Sequence, residues 1–203
     1  MGKLNLLKAL YNGKVGKTVG AKWKNLATVR TYSIPANPRT TAQVSVRTAF
    51  AELTTFIALF SDQLKYLTAL DVRGMSVRNA IIKLNKSMID SGTVDLSSLV
   101  ISKGGLQKPQ GVSAAKDGTS GAITVTWSAV TATNFTSDAK AVCVAVDADN
   151  QITDVFTAAY SENTATGTVS FADSTSVRVF VYFFDKRNTA KVASVSVATS
   201  VSA

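Results

Sequence analysis

Histidine is absent from the 203 residues, and cysteine occurs once, at Cys143. Without histidine the chain lacks the commonest general base and the commonest metal ligand, together with the Ser-His and Cys-His pairs of nucleophilic catalysis. A single cysteine excludes an intramolecular disulfide and any cysteine-based zinc site. Because Cys143 stands within an apolar run, we predict that it is a small buried hydrophobe rather than a reactive thiol.

Long apolar stretches are also missing. None approaches the roughly 18 uncharged residues that mark a membrane helix, so we expect no membrane contact. The apolar part of Met1–Lys8 is too short for a signal peptide, and we expect synthesis in the cytoplasm. The hydrophobic content of 46% nevertheless indicates a folded protein.

Acidic side chains are missing from the first 51 residues, which contain nine lysines and arginines. Residues 1–110 carry a net charge of +11, whereas residues 111–203 carry −2. A segment of one sign cannot neutralise itself, so it requires solvent, a polyanion or an acidic partner surface. The candidate subunit or DNA contacts are Lys14, Lys17, Lys22, Trp23, Lys24, Arg30, Arg39 and Arg47. An ordinary solvated basic face is the alternative interpretation.

The stretch GKVGKTVG at residues 13–20 shares letters with a nucleotide-binding phosphate loop. Such a loop needs G-x-x-x-x-G-K-[ST], because enough backbone amides must surround the phosphates. With Gly16, Lys17 and Thr18 as the closing triplet, the first glycine would stand at Tyr11. Gly13 leaves the loop two residues short, and the spacing argues against nucleotide binding.

The pattern from Lys14 to Ile34 predicts instead a β-hairpin with its turn at Lys24-Asn25. Counting by twos places apolar residues on one face: Val15, Val19, Ala21 and Trp23. The other face would hold lysines and glycines: Lys14, Gly16, Thr18, Gly20, Lys22 and Lys24. Trp23 and Tyr32 are the aromatic residues among these charges. An isolated hairpin is marginal in water, so it must pair with another surface.

Two helices are predicted after the breaker Ile34–Pro38. Thr40 and Gln43 form a T-x-x-Q capping box, and the following apolar stripe is Val46, Phe50, Leu53, Ile57, Phe60, Leu64 and Leu67. This is one long helix, or two with a bend near Ser61-Asp62. The second helix is capped by Ser76, with a stripe of Val77, Ile81, Leu84 and Met88. We expect the two stripes to bury each other.

Short β-runs separated by turns fill the C-terminal half. They are residues 122–127, 141–146, 152–157, 167–171, 177–184 and 192–201. The predicted fold class is therefore α+β: an N-terminal β-hairpin and two-helix region, followed by an antiparallel β-sandwich that resembles an immunoglobulin or fibronectin type III module, with Trp127 in its core. The predicted domains are a basic hairpin-and-helix assembly domain, 1–106, and the sandwich, 107–203.

The N-terminal motifs resemble those of a domain-of-unknown-function family associated with Bacteroidota genomes and with tailed phages, crAss-like phages among them. The matching residues are Gly13-Lys14-Val15-Gly16, Val19-Gly20, Trp23-Lys24, Arg30, Asn37-Pro38-Arg39-Thr40, Gln43, Arg47 and Phe50. The resemblance implies a non-enzymatic virion protein without catalytic residue, cofactor or metal. It implies a homo-oligomeric ring in the head-to-tail neck or tail, in contact with portal or neighbouring neck and tail proteins and with packaged DNA.

Three alternatives stay open at this point. A stand-alone basic nucleic-acid-binding protein would use the same cations on phosphates. A cell-surface adhesin would explain the sandwich but not the lack of a signal peptide. An enzyme would need a carboxylate pair such as Asp147 and Asp149, although Asp-Ala-Asp-Asn-Gln between two strands is more simply a turn.

Overall fold

A computed structural model of the protein describes most of the chain: residues 13–23, 26–34, 36–37, 39–65, 67, 70, 74–131, 135–168, 171, 176–186 and 193–202. The chain forms two compact units, Met1–Arg39 and Thr40–Ala203. The class is mixed α+β, as predicted, with few helices and large β-sheets.

The first unit contains a three-stranded antiparallel sheet rather than a two-stranded hairpin. Its strands are β1 (Gly13–Val15), β2 (Thr18–Trp23) and β3 (Leu26–Thr31), in the order β1-β2-β3. The extra strand arises because Gly16 and Lys17 form a tight two-residue turn. Gly16 has φ +59°, and glycine at the first central position is the pattern of type II′ hairpin turns. The predicted turn at Lys24-Asn25 lies outside the described residues, between the observed ends of β2 and β3.

Three helices open the second unit: α1 (Thr41–Ala58), α2 (Val77–Leu84) and α3 (Lys86–Ser91). Both predicted caps are confirmed, since the hydroxyl of Thr40 accepts the Gln43 amide and that of Ser76 accepts the Asn79 amide. The predicted second helix is broken at the buried Asn85. Its side-chain amide donates to the carbonyls of Ile81 and Val100, and its oxygen accepts the Val100 amide.

Seven strands form the second sheet: β4 (Ser113–Lys116), β5 (Ile123–Thr126), β6 (Lys140–Asp147), β7 (Ile152–Ala159), β8 (Thr164–Thr166), β9 (Val177–Phe184) and β10 (Val197–Ser202). Their order is β7-β6-β9-β10-β4-β5-β8, and every pair is antiparallel except the parallel pair β10–β4. The sheet curls into a sandwich or near-barrel around an inner core that includes Trp127, Cys143, Phe171 and Phe183. Trp127 is thus a core residue, as predicted, and its indole N–H donates to the Tyr160 carbonyl.

The prediction of strands was wrong in part. The strand β4 was not anticipated, β8 ends just before Gly167, where the expected strand 167–171 would begin, and β10 begins at Val197, later than the expected run 192–201. Residues 169–170 of the expected strand lie outside the described residues. A Cβ at Gly167 would lie 2.8 Å from the Phe156 ring. The chain therefore passes β7 too closely there for a larger residue.

A second core lies on the outer face of the same sheet. Strands β6 and β9 direct Val142, Val144, Phe180 and Tyr182 outward, where they pack with apolar residues of the helical segment. These helical-segment residues are Leu53, Phe56, Ile57, Phe60, Leu64 and Ile81. The Phe180 ring lies 6.1 Å from that of Phe56 and 6.2 Å from that of Phe60. The two helical stripes therefore bury the sheet, and they do not simply bury each other as predicted.

This packing moves the division of the chain. The chain divides into its two compact units between Arg39 and Thr40, and the helices share a core with β6 and β9 across the expected boundary of 106/107. Burial begins only partway along α1. Val46 and Phe50, which we expected in the buried stripe, are 37% and 47% exposed. The N-terminal turns of α1 thus contribute little to the core.

We predict that Phe60→Ala lowers the free energy of unfolding by about 3–5 kcal/mol, because Phe60 is fully buried between the helical segment and the sheet. Phe50→Ala is the matched control and should cost under about 1 kcal/mol. Urea unfolding followed by circular dichroism measures both. Equal costs would contradict the packing of the helical segment on the sheet.

Candidate polyanion-binding surface

The register of the three-stranded sheet decides which basic residues lie together. Val19 is directly opposite Lys14 on one side and Arg30 on the other. Residues directly opposite each other in antiparallel strands project to the same side, and residues two apart share a side. The Tyr32 amide donates to the Lys17 carbonyl at 2.8 Å, which extends the ladder by one row. Lys14, Lys17, Arg30 and Tyr32 therefore form one surface, the basic face.

The basic face is open to solvent. Lys14, Lys17 and Arg30 are exposed, and none of them forms an ion pair within the described part of the chain. The Lys14 ammonium lies 3.8 Å from the centroid of the Tyr32 ring, a cation–π contact. This contact fixes a lysine and an aromatic ring side by side, and Tyr32 remains 40% exposed.

The opposite side of the sheet, here called the apolar face, includes Val15, Val29, Thr18 and Thr31 with Gly13 and Gly20 between them. Val15 and Val29 are 56% and 42% exposed. The sequence assigned Lys14 and Val15 to the wrong faces, because a period-two count assumes one continuous strand. The two-residue turn at Gly16-Lys17 reverses the chain, so the alternation restarts in β2.

The other predicted contact residues are distributed less tightly. Lys22 and Trp23 lie at the end of β2, and Lys24 lies outside the described residues. Arg39 is exposed at the end of the first unit. Arg47 is on the exposed surface of α1, in the second unit, where it has a bonding partner. Of the predicted contacts whose side chains the structure describes, the register therefore brings together Lys14, Lys17 and Arg30.

Among the described side chains, the three-stranded sheet has no apolar core. Every buried hydrophobic side chain found among the described residues belongs to the second unit, beginning with Ala49. A three-stranded sheet normally becomes stable through burial of one face. The exposed valines of the apolar face therefore indicate a surface that is completed by something else.

The acidic residues Asp147 and Asp149 stabilise the turn between β6 and β7 through hydrogen bonds. The Asp147 carboxylate accepts hydrogen bonds from the amides of Asp149 (3.0 Å) and Asn150 (3.2 Å) and from the Asn150 side chain (2.8 Å). The Asp149 carboxylate accepts one from the Ser176 hydroxyl at 2.6 Å. The prediction of a turn at these residues is confirmed. Among the described residues, no cluster of three or more acidic or cysteine side chains is placed to hold a metal ion.

Cys143 is fully buried in the inner core, facing away from the helices. Burial raises the pKa of its thiol to about 12, since an apolar environment disfavours the thiolate. The nucleophilic form is therefore scarce at neutral pH. The prediction of a buried hydrophobe is confirmed.

Two surface grooves occur in the second unit, with volumes of about 630 Å³ and 550 Å³. The larger lies at the start of α2 and is lined by residues of both charges, Asp62, Lys65 and Arg78 among them. The smaller is lined by Asp138, Lys140 and Lys186. Neither groove includes any of the predicted contact residues. In the described part of the chain, no helix is long and apolar enough to cross a membrane.

The fold and the surface together define a mixed α+β protein in which a small basic sheet accompanies a helix-covered β-sandwich. A family of unknown function, DUF6266, matches residues 10–198. The chain belongs to this family. No curated protein and no solved structure matches the chain significantly.

We predict that Cys143 in the folded protein reacts with the disulfide reagent DTNB only as fast as the protein unfolds. The assay is run near pH 8, below the ordinary thiol pKa of about 8.5. Full labelling is expected at once in concentrated guanidinium chloride. Rapid labelling without denaturant would show that the thiol is accessible and would contradict its burial.

Proposed function

We propose that the chain is a non-enzymatic structural protein of a tailed-phage virion. In this proposal it forms a homo-oligomeric ring in the head-to-tail neck or in the tail. The association with tailed phages comes from the resemblance of the N-terminal motifs. Portal or neighbouring neck and tail proteins would be its other partners.

The observation that carries the proposal is the exposure of the valines on the apolar face of the small sheet, as far as the structure describes it. Val15 and Val29 project from a unit without a buried apolar side chain among its described residues. We propose a second copy of the chain as the occupant, because a ring needs a surface on each copy that a neighbouring copy completes. The exposed Val15 and Val29 are the apolar side chains that such a contact would bury. Repetition of such a contact between copies produces a ring when the rotation closes.

The chemistry of the remaining candidates supports a structural role. The Asp147 carboxylate is committed to backbone and side-chain donors of its own turn. The Cys143 thiol is buried and protonated. Neither group is arranged to act on a substrate.

For the sandwich, we propose an immunoglobulin or fibronectin type III relationship. The strand order supports it, since β4-β5-β8 would form one sheet and β7-β6-β9-β10 the other, as in two-sheet Greek-key sandwiches. The helices on the outer face of β6 and β9 are an addition to such a module. In a ring, the sandwich would act as a rigid spacer that faces outward.

Oligomeric state tests the proposal directly. Mass photometry and light scattering of the purified chain should show a defined oligomer, alone or with its neck partners. Val29→Asp should shift it toward monomer by placing a charge on the apolar face. Thr28→Asp is the matched control. Thr28 is next to Val29 in β3 but lies on the basic face, so this variant should leave the oligomer intact.

A monomer under all conditions would overturn the ring and would leave the stand-alone nucleic-acid-binding protein as the better account. Mass spectrometry of purified virions that encode the chain tests its location. The chain should be present at the copy number of a ring. Its absence from particles would contradict the assignment to the virion.

A further inference from the structure

The basic face and the apolar face of the three-stranded sheet offer two different chemistries on one small module. If the apolar face is occupied by a second copy, as the proposed function requires, the basic face stays open. We propose that the basic face binds the phosphate backbone of a nucleic acid. This inference rests on the proposed function in one respect: a second copy of the chain, and not a nucleic acid, occupies the apolar face.

The geometry of the cations suits a closely spaced polyanion. Lys14 and Arg30 are separated by the single strand β2, which puts their backbones about 10 Å apart. Lys17 lies two residues from Val19, about 7 Å along the strand. DNA carries one charge per roughly 1.7 Å of duplex length, so three cations in this area can contact several phosphates at once.

A nucleic acid fits this surface better than an acidic protein does. The cations belong to a stretch of 51 residues without a single acid. Protein interfaces combine charges of both signs to fix register and exclude wrong partners. A surface that carries only positive charge attracts a polyanion strongly but does not fix its position along the surface. This suits contact with a phosphate backbone, which is the same for every base sequence.

The side chain of Tyr32 adds a second element of such surfaces. Its ring is held against Lys14 at 3.8 Å and remains 40% exposed. Aromatic rings among cations are the usual composition of surfaces that bind single strands, where bases stack on the rings. Single-stranded nucleic acid should therefore bind at least as tightly as duplex at equal salt.

The experiment measures binding of the full chain to short fluorescein-labelled single-stranded and duplex DNA by fluorescence anisotropy over a range of salt. The test variant is Lys14→Gln/Lys17→Gln/Arg30→Gln. The matched control, Lys83→Gln/Lys103→Gln/Lys108→Gln, removes the same charge from exposed positions of the second unit. Unlabelled polyglutamate serves as the competitor that stands for an acidic protein.

For the wild-type chain and the control, we expect the same steep fall of affinity with salt. In the test variant the slope of log K against log salt should decrease by about 2 to 3, since each lost phosphate contact removes about 0.7 to 0.9. Its affinity should fall at least about tenfold. The single variant Lys17→Gln, which leaves the cation–π pair in place, should lower the slope by about 1.

An unchanged slope in the test variant, or an equal loss in the control, would overturn the inference. Competition by polyglutamate as strong as that by unlabelled DNA would assign the face to an acidic protein instead. The oligomeric state is measured on the same samples, so a failure of the proposed ring can be distinguished from a failure of the nucleic-acid contact. A stable oligomer without the salt signature refutes only the nucleic-acid contact, and a monomer with the signature refutes only the ring.

Discussion

Burial of β6 and β9 on both faces is the constraint on which the larger unit depends. Along these strands nearly every side chain is buried, whether it faces the inner core or the helices. A sheet strand that is buried on both sides needs two covers. The near-barrel supplies one, and the segment from α1 to α2 supplies the other, with Phe56 and Phe60 against Phe180. This second cover joins the helices and the sandwich into one unit.

The features of the fold that the sequence predicted are those that depend on interactions between residues close together in the chain. The caps at Thr40 and Ser76 are local, and both were predicted correctly. The run at residues 141–146 was predicted correctly as a strand, and the observed β6 extends it by one residue at each end. Its unbroken apolar character indicates burial on both faces. That signal indicates that a second layer covers the sheet, but it does not identify the helices as that layer.

The candidate surface was predicted in composition but not in arrangement. The charge asymmetry identified Lys14, Lys17 and Arg30 as candidate contacts, and all three are exposed. Their common face depends on the backbone of Gly16, whose positive φ allows a turn within what appeared to be one strand. The contact between Lys14 and Tyr32 follows from the same turn, since it joins β1 to a residue beyond β3. Spacing along the sequence does not carry this information.

The two units thus differ in how they reach stability. The larger unit contains both apolar cores, whereas the small sheet has no buried apolar side chain among its described residues and exposes cations on its basic face. A module of this kind reaches its lowest free energy only in contact with other molecules. In our account, assembly covers the apolar face and a polyanion neutralises the basic one.

The most direct test of the central claim compares the fragments 40–203 and 107–203 by urea unfolding and size-exclusion chromatography. The fragment 40–203 should be monodisperse and should unfold cooperatively, because both faces of β6 and β9 are covered. The fragment 107–203 should aggregate or lose its cooperative transition, since Val142, Val144, Phe180 and Tyr182 would face water. A soluble, cooperatively folded 107–203 as stable as 40–203 would show that the helices are not a necessary cover, and it would contradict the account.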